Sequence, residues 1–399
     1  MLAKVIGGKM SVNYDALKNI IAKHIQISDG FLPFDSFMQL ALYQPELGYY
    51  ESQHVFGEKG DFITGIDLGP WLGLGFDDLM QWGWEQLGRP CRWVLLEQGG
   101  GSGHLLTQVI QHLQERNISM PDIIAVERSA YMRERQREHY QQQGIDVQQY
   151  AELGDIDIDA ALPVLMMCNE LPDAFPVKSF VYHDKKYYER GVVLKEGELC
   201  WQRAEEPMQN PPHISADLMA TWPDGYISEY NPALNDWQKA VANIIGQGFL
   251  FCVDYGYSQQ EYYRSNRMEG TLMGHRDHQV VEDVLSVVPG SCDMTAHIDF
   301  TALANIGQTY DLQPTTFITQ GGWLAQSPGV QTLITALAAE GSVASMQAMA
   351  QAKRMLLPMG MGESFKLLIQ CKNGCDAPDY LKPLDRMRDL HLAKAMVGE

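Results

Sequence analysis

The stretch Trp93-Val-Leu-Leu-Glu97-Gln-Gly99-Gly-Gly101-Ser-Gly103 decides the fold class of this 399-residue chain. A short apolar run that ends in an acid and glycines is typical of a buried strand that turns into a helix. Glycine is needed because the backbone must turn sharply and let a ligand lie directly against it. A pyrophosphate loop has the spacing G-x-G-x-x-G, whereas this one is E-x-G-x-G-x-G, and its acid would repel a phosphate. The loop therefore predicts S-adenosylmethionine as cofactor, with Glu97 reaching its amino group and Gly99, Gly101 and Gly103 lying against it.

The surrounding sequence alternates between strand-like and helical patterns. Apolar runs at 93–96, 123–126, 147–150, 163–168 and 249–253 are separated by helical periodicity, and most of them end in polar residues. This alternation predicts an α/β fold, a doubly wound sheet with its site at the carboxyl edge. Two stretches interrupt it. Residues 177–202 predict an inserted antiparallel meander, and the polar, Gly-rich residues 257–297 predict a long ordered loop over the site.

Glu127 follows the strand at 123–126 and is the second candidate for cofactor binding. An acid at this position can accept both ribose hydroxyls of a nucleoside. Arg128 comes next and keeps open a nicotinamide cofactor with a 2′-phosphate. A glycine loop that binds nothing is the remaining alternative.

The segment Asn169-Glu-Leu-Pro-Asp173 follows the fourth strand-like run, whose end faces the transferable group in this kind of sheet. Glu170 and Asp173 can hold a guanidinium or amine and accept its proton. In the alternative interpretation Asn169 and Glu170 cap the following turn and Asp173 is solvated. We predict that Asn169, Glu170 and Asp173 face the acceptor, with Asn169 also contacting the cofactor. His297 is a fourth catalytic candidate, although a lone histidine is more often structural.

Composition restricts the partners. The formal net charge is −20 and we find no basic run, so we predict no nucleic-acid partner and no membrane partner, whereas a basic protein or peptide is compatible. The seven scattered cysteines suit a reducing compartment, and no apolar run approaches the roughly 20 residues that span a bilayer. These features predict a cytoplasmic protein, with a homodimer compatible. Cys371 and Cys375 lack a second pair, so no metal site is predicted.

Taken in order, several motifs resemble those of the MidA-like methyltransferases, a family that includes the mitochondrial complex I assembly factor that methylates an arginine. The resemblance runs from about Phe34 to Lys372. Besides the glycine loop, its motifs are Ala41-Leu-Tyr-Gln-Pro-Glu-Leu-Gly-Tyr-Tyr50, Gly60-Asp-Phe-Ile-Thr64, Asn169-Glu-Leu-Pro-Asp-Ala174, Val253-Asp-Tyr-Gly256, Gly270-Thr-Leu272 with His278-Gln279, Thr295-Ala-His-Ile-Asp-Phe300 and Met361-Gly-Glu-Ser-Phe365.

The resemblance implies a class I methyltransferase, a Rossmann-like seven-stranded sheet with an N-terminal helical cap and an inserted antiparallel β region. It also implies that Gly60, Asp61, Phe62 and Thr64 cover the cofactor. The chain departs from the family in two places. The family usually continues that loop with Thr-Ser-Pro-Glu, whereas this chain has Thr64-Gly-Ile-Asp67, and Leu171-Pro172 replaces an aromatic pair. The acceptor is therefore expected to differ from that of the mitochondrial relatives.

The predicted organisation has four segments: an N-terminal helical cap with the covering loop (1–90), a first part of the core (91–176), a β-meander substrate region (177–225), and a second part of the core with the lid loop and C-terminal helices (226–399). The predicted function is methylation of a protein side chain, with arginine favoured. A small-molecule O- or N-methyltransferase is an alternative. So is a non-catalytic assembly factor that binds the cofactor without turnover.

Overall fold

The computed structural model describes residues 14–51, 65–116, 118–276, 279–372 and 374–392. The chain divides into two compact units, each made from several segments. The first contains Met1–Phe62, Ala174–Ala233 and Tyr263–Ala296. The second contains Ile63–Asp173, Leu234–Tyr262 and His297–Glu399.

The helices of the described ranges, numbered in chain order, are α1 (Tyr14–Ile27), α2 (Phe34–Tyr43), α3 (Trp71–Gln86), α4 (His104–Glu115), α5 (Ala130–Gln143), α6 (Ala216–Met219), α7 (Ala233–Ile244), α8 (Gln259–Tyr262), α9 (Phe300–Thr309), α10 (Gln320–Gln326), α11 (Pro328–Glu340), α12 (Val343–Leu356) and α13 (Met361–Ser364). None of these helices is long and apolar enough to cross a membrane.

The strands of the same ranges are β1 (Leu32–Pro33), β2 (Val94–Gln98), β3 (Asp122–Val126), β4 (Gln148–Tyr150), β5 (Val164–Asn169), β6 (Lys178–His183), β7 (Lys186–Lys195), β8 (Glu198–Arg203), β9 (Tyr226–Tyr230), β10 (Gly248–Tyr257), β11 (Met273–Arg276), β12 (Gln279–Val281), β13 (Asp293–Thr295), β14 (Ile298–Asp299), β15 (Leu312–Thr319) and β16 (Phe365–Lys372).

The second unit is built on one mixed sheet in the order β15-β16-β10-β5-β2-β3-β4. Strands β10, β5, β2, β3 and β4 run parallel, and β16 lies antiparallel between β10 and β15. That order contains seven strands, the number that the resemblance implies, and among the described residues short β14 pairs in addition with the end of β10. The predicted α/β class is confirmed. The parallel strands bring the ends of β2, β3, β5 and β10 to one edge, where α/β sheets carry their ligands.

The core of the second unit explains why its strands could be predicted from the sequence. The central strands are buried on both faces, so they consist of nearly uninterrupted apolar residues. Helix α4 buries an apolar face that includes Leu105, Val109 and Leu113, and the same cluster includes the fully buried indoles of Trp71, Trp93 and Trp323. Apolar burial of this kind is the main favourable term in folding.

The first unit contains the predicted antiparallel meander. Strands β1, β7, β6 and β9 form a sheet in which β8 also pairs with β7. Asp184 and Lys185 have φ of 47° and 59° in the turn between β6 and β7, and Glu196 and Gly197 have φ of 52° and 88° in the next turn. Two-residue turns with positive φ match the twist of antiparallel strands, so these turns fix the register. Helices α1 and α2 supply buried residues of the same core, such as Leu17 and Phe37.

The prediction of a long loop at 257–297 is wrong. Residues 263–296 belong to the first unit, and β11 pairs there with β12 and β13 in a three-stranded antiparallel sheet. Each of these strands has only three or four residues. Strands so short show too little alternation to stand out from polar, Gly-rich sequence.

The division of the chain also differs from the boundaries expected at 90, 176 and 225. The first unit combines the N-terminal residues up to Phe62 with the meander and with 263–296, while α3 lies in the second unit. An amphipathic pattern shows that a helix buries one face but does not identify the element that covers it.

Candidate active site

The glycine loop joins β2 to α4 at the carboxyl edge of the second unit's sheet. Gly99, Gly101 and Gly103 have φ of 74°, 52° and 81°, a region that glycine enters without the penalty other residues meet. A Cβ on Gly99 would lie 2.8 Å from Leu171 Cδ1, and one on Gly103 would lie 2.8 Å from the Tyr140 ring. A Cβ on Gly101 would meet nothing within 4 Å. The buried Tyr140 ring therefore leaves no room for a side chain at Gly103, Gly99 lies against the end of the Leu171 side chain, and Gly101 presents open backbone.

Glu97 lies in β2 directly before the loop and is 2% exposed. A Cβ on Gly100 would lie 2.1 Å from Glu97 Oε2, so the carboxyl group lies against the loop backbone. That oxygen has no hydrogen-bond partner among the residues that the structure describes. Burial, and secondarily the charge of Glu127, raise the pKa of Glu97 to about 8. A buried carboxyl group in this position favours a cationic ligand.

Two residues of α5 hold the loop, and no sequence pattern points to either of them. The Gln136 side-chain amide donates to the Gly101 carbonyl at 3.0 Å, and Gln136 is fully buried. The Tyr140 hydroxyl is buried beside Gly103, and burial raises its pKa. Helix α5 is so polar that its buried face does not show in its composition.

Glu127 lies at the end of β3, on the strand next to Glu97. Its backbone amide donates to the Tyr150 carbonyl at 3.0 Å, and its Oε1 accepts from the Ser129 amide at 3.0 Å. Arg128 is exposed, and its Nε lies 3.8 Å from Glu152 Oε1. Arg128, the residue that kept a 2′-phosphate ligand as an alternative, thus lies near the carboxylate of Glu152.

The segment from Asn169 to Asp173 turns away from the end of β5. Glu170 has φ of 52°, and its amide donates to the Val253 carbonyl of β10 at 2.9 Å. The Asn169 side-chain amide donates to Glu170 Oε1 at 3.1 Å. Asp173 is 5% exposed, so the alternative of a solvated Asp173 is wrong. Leu171 places this segment against Gly99 of the glycine loop.

The end of β10 lies beside this turn. Asp254 is fully buried, and its Oδ2 accepts from the Asp173 amide at 3.1 Å. The Tyr255 hydroxyl donates to Asp173 Oδ2 at 2.5 Å. Burial and the neighbouring Asp173 raise the pKa of Asp254 well above its usual value. Three carboxyl groups, those of Glu170, Asp173 and Asp254, therefore share one edge of the sheet.

His297 lies next to the same strand. Its ring stacks on Tyr257 with centroids 5.1 Å apart and meets the edge of Tyr255 at 4.9 Å. Asp299 accepts from the Ala302 amide at 3.1 Å and caps α9, as expected for an acid before a helix. His297 therefore packs against Tyr255, the residue whose hydroxyl contacts Asp173.

The predicted covering residues Gly60, Asp61, Phe62 and Thr64 lie outside the described residues. Gly65–Leu68, which follow them in the chain, form a 3-10 turn. The role assigned to these four residues stays a prediction.

One group of side chains in the described ranges has donors close enough to share a cation. It consists of His183, Asp184 and Asp224 of the first unit. His183 Nε2 lies 3.5 Å from Asp184, its Nδ1 lies 3.6 Å from Asp224, and both acids are exposed. Exposed acids beside a histidine are common on protein surfaces, so the group supports no metal site.

Comparison with known proteins gives relatives along most of the chain. The Caenorhabditis elegans protein named "Protein arginine methyltransferase NDUFAF7 homolog, mitochondrial" is 24% identical over 318 residues, which are 73% of this chain and 71% of that protein. The Danio rerio protein named "Protein arginine methyltransferase NDUFAF7, mitochondrial" is 24% identical over 403 residues, 92% of this chain and 90% of that protein.

These relatives correct one prediction. They are named as mitochondrial proteins, which contradicts the cytoplasmic location that the composition suggested. Net charge and cysteine usage indicate the chemical conditions that suit a protein, but they do not identify the compartment to which it is delivered.

Two solved structures from Burkholderia thailandensis have the same fold. One is a COG1565 superfamily member bound to S-adenosyl-homocysteine, with a TM-score of 0.82 and 24% identity, covering 94% of this chain and 96% of that one. The other is a native COG1565 superfamily protein, with a TM-score of 0.80, 25% identity and the same coverage.

A family model described as "Putative S-adenosyl-L-methionine-dependent methyltransferase" matches residues 79–318, more than half of the chain. The matched range includes the glycine loop, the acids at the ends of β2 and β3, and the turn after β5. The chain therefore belongs to this family of S-adenosylmethionine-dependent methyltransferases.

Proposed function

We propose that this methyltransferase acts on a protein side chain, with the guanidinium group of arginine as the favoured acceptor. The observation that carries the proposal is the contact between the glycine loop and the acidic turn. Leu171 lies against Gly99, so Glu170 and Asp173 sit on the segment that touches the cofactor loop. Carboxylates in this position bind a cationic acceptor close to the methyl donor. The relatives named as protein arginine methyltransferases, at 24% identity, support the same choice.

We assign cofactor binding to Glu97, Gly99, Gly101, Gly103 and Glu127, with Asn169 at the end of β5. The buried Oε2 of Glu97 fits a ligand with an amino cation, because a carboxylate without a partner is costly in a protein interior. Gly101 has positive φ and open space where a side chain would be. Glu127 follows β3, the strand that pairs with β2, and an acid at the end of that strand can accept the hydroxyls of a ribose. These features suit an uncharged nucleoside linked to an amino acid.

We further propose that Gly60, Asp61, Phe62 and Thr64 cover the bound cofactor, as in the family that the sequence resembles. The segment Thr64-Gly-Ile-Asp67 differs from the family pattern. A change beside the cofactor would alter the acceptor rather than the cofactor, because the glycine loop keeps its pattern.

The reaction needs an acceptor nitrogen aligned with the methyl group and a group that takes its proton. When bound, S-adenosylmethionine supplies an activated methyl group on a sulfonium. Glu170 and Asp173 hold the guanidinium by charge-assisted hydrogen bonds and fix the direction of its nitrogen. Asp173 is the proton acceptor in this proposal because it is almost completely buried, which limits competition from water. His297 borders the acceptor on the aromatic side, and its role is to contact the substrate.

A protein substrate also suits a net charge of −20, since basic segments are attracted to an acidic surface. The exclusion of nucleic acid and a homodimeric assembly stay predictions from the sequence.

The proposal is tested by incubating the protein with methyl-labelled S-adenosylmethionine and a lysate of cells that lack the gene. We expect label in a protein band, recovered after hydrolysis as methylarginine, and no label when the cofactor-binding variant Gly101→Val replaces the wild type. Label that enters only small molecules would refute the protein substrate and favour a small-molecule methyltransferase. Cofactor binding without any transfer would favour an assembly factor.

A further inference from the structure

The turn that carries Asp173 is held from β10 at two points. Strand β10 pairs in parallel with β5, with Val253 opposite Asn169, so Asp254 and Tyr255 run beside the turn that follows β5. Asp254 Oδ2 accepts from the Asp173 backbone amide at 3.1 Å. The Tyr255 hydroxyl donates to Asp173 Oδ2. One strand therefore fixes both the backbone and the carboxylate of Asp173.

The ring that carries this hydroxyl is itself fixed. His297 meets the Tyr255 ring at 4.9 Å with an interplanar angle of 76°, and Phe365 meets it at 5.3 Å with an angle of 72°. The Tyr255 backbone amide donates to Asp254 Oδ1 at 2.8 Å. A tyrosine has few rotatable bonds, so two edge-to-face contacts are enough to aim its hydroxyl at one place.

Other acidic groups lie near Asp173, and they bear on what the hydrogen bond from Tyr255 does. Asp254, Cys252 and Tyr255 are titratable groups that the described contacts and charge interactions bring to Asp173, and the charge of Glu170 acts on Asp254. Burial and the nearby acids raise the pKa of Asp254, so Asp254 holds a proton more readily than an ordinary aspartate. A hydrogen bond from a neutral hydroxyl stabilises the charged form of a carboxylate. The Tyr255 hydroxyl donates to one carboxylate oxygen of Asp173 and so fixes the direction of that carboxylate.

We propose that Tyr255 is a positioning residue for the methyl transfer: its hydroxyl orients the Asp173 carboxylate toward the acceptor nitrogen. The inference rests on the proposed role of Asp173 toward the acceptor. In the step itself the nitrogen lone pair forms the new bond to the methyl carbon, and the bond between carbon and sulfur breaks with its electrons on sulfur. The proton of the nitrogen passes to the oriented Asp173 carboxylate.

The test compares Tyr255→Phe with Tyr310→Phe as a matched control. Tyr310 lies in the same unit, and its hydroxyl donates to Asn235 Oδ1 at 3.0 Å on the surface. The probe is methyl label transferred from S-adenosylmethionine to the protein fraction of a lysate that lacks the enzyme, measured as an initial rate from pH 6 to pH 9. Affinity for S-adenosylmethionine is measured by calorimetry, and folding is checked by circular dichroism.

For Tyr255→Phe we expect the rate near neutral pH to fall by about 10- to 100-fold, since misplacing a reacting group has effects of that size. The acid limb of the pH profile should move to higher pH, because Asp173 has lost a donor to its charged form. Affinity for the cofactor should stay within about twofold, and Tyr310→Phe should resemble the wild type. Asp254→Ala removes the backbone anchor instead and should lower the rate by an independent route.

Wild-type rate and an unmoved pH profile in Tyr255→Phe would overturn the inference, whatever the rate of Asp254→Ala. The variant Asp173→Asn tests the proposed function independently of Tyr255. If Asp173→Asn abolishes labelling while Tyr255→Phe changes nothing, Asp173 keeps its proposed role and only the positioning role of Tyr255 fails.

Discussion

Glu97 is a buried carboxyl group whose Oε2 has no hydrogen-bond partner among the described residues. Its pKa is raised to about 8 by burial and by the charge of Glu127. In the folded protein Glu97 therefore binds a proton that it would not bind in the unfolded chain between pH of about 5 and 8. The stability that this proton confers is present at low pH and is lost as the pH rises toward 8. Such a cost is tolerated where a ligand supplies the opposite charge.

This residue makes cofactor binding depend on pH. If the carboxylate form holds the cofactor's amino group, affinity for S-adenosylmethionine should rise from pH 6 to about pH 8 and then level off, with a proton released on binding. Calorimetry in two buffers with different ionisation enthalpies measures that proton. Glu97→Gln should bind weakly with no proton release, and an affinity independent of pH in the wild type would contradict the role.

Gly103 offers a test of the loop geometry. Gly103→Ala should destabilise the protein by about 2–4 kcal/mol, because a Cβ there would combine a left-handed backbone with a clash against Tyr140. Gly144→Ala is the matched control, since Gly144 has φ of 69° and nothing within 4 Å of its Cβ position, and it should cost about 1 kcal/mol. Urea unfolding measures both, and equal costs would show that the Tyr140 contact is unimportant.

Single residues of the candidate site could be predicted from the sequence where their type and spacing have few structural explanations. The glycines at alternate positions and the acid at Glu97 signalled a ligand loop because few other structures need them. Gln136 and Tyr140 carried no such signal, and Tyr255 was marked only by the motif Val253-Asp-Tyr-Gly256 of the resemblance. Glutamine and tyrosine occur on many surfaces, and only the fold shows that Gln136 is buried against the loop backbone.

Among the elements, α3 and α4 are joined by a cluster of charges around Arg116. Its Nε lies 2.6 Å from Asp77 Oδ2, and its Nη2 lies 2.6 Å from Asp78 Oδ1. Both aspartates are almost completely buried, and burial raises the pKa of Asp77 to about 6 despite the guanidinium. Asp78 also accepts from the Gly329 amide at 2.9 Å and so links these helices to the start of α11.

Arg116→Met should therefore lower the free energy of unfolding by about 3 kcal/mol at pH 8, because it leaves buried carboxylates without a cation. The deficit should be smaller at pH 5, where Asp77 is protonated in the folded state. Arg89→Met is the control: Arg89 lies 3.4 Å from Glu85 on the surface and should contribute less than about 1 kcal/mol. Equal losses in the two variants would contradict this account.

The elements also show the limits of sequence patterns. Buried strands such as β5 and β10 were predicted because an apolar run between polar ends has one common explanation. Strands β11, β12 and β13 were missed because each is too short to show alternation. The meander at 177–202 was predicted, and in the structure its strands reverse at residues with positive φ, among them Asp184 and Gly197.

For the whole molecule, the order of motifs along the chain gave the fold class, but not the assignment of segments to units. The first unit is assembled from three stretches that are far apart in sequence. The apolar periodicity of α1 and α2 indicates that each helix buries one face. It does not indicate that β7 and β6 are the strands next to α2. The family match then fixed the chemistry of the cofactor, whereas the acceptor rests on the turn from Asn169 to Asp173.

The central claim is that this chain binds S-adenosylmethionine at the glycine loop. Its most direct test is a calorimetric titration of the wild type, Gly101→Val and Gly154→Val with S-adenosylmethionine. Gly154 has no atom within 4 Å of its Cβ position and lies in the same unit, so it controls for the substitution itself. We predict saturable binding by the wild type and by Gly154→Val, and no binding by Gly101→Val. Binding that survives in Gly101→Val, or tight binding of a nicotinamide dinucleotide in place of S-adenosylmethionine, would contradict the account.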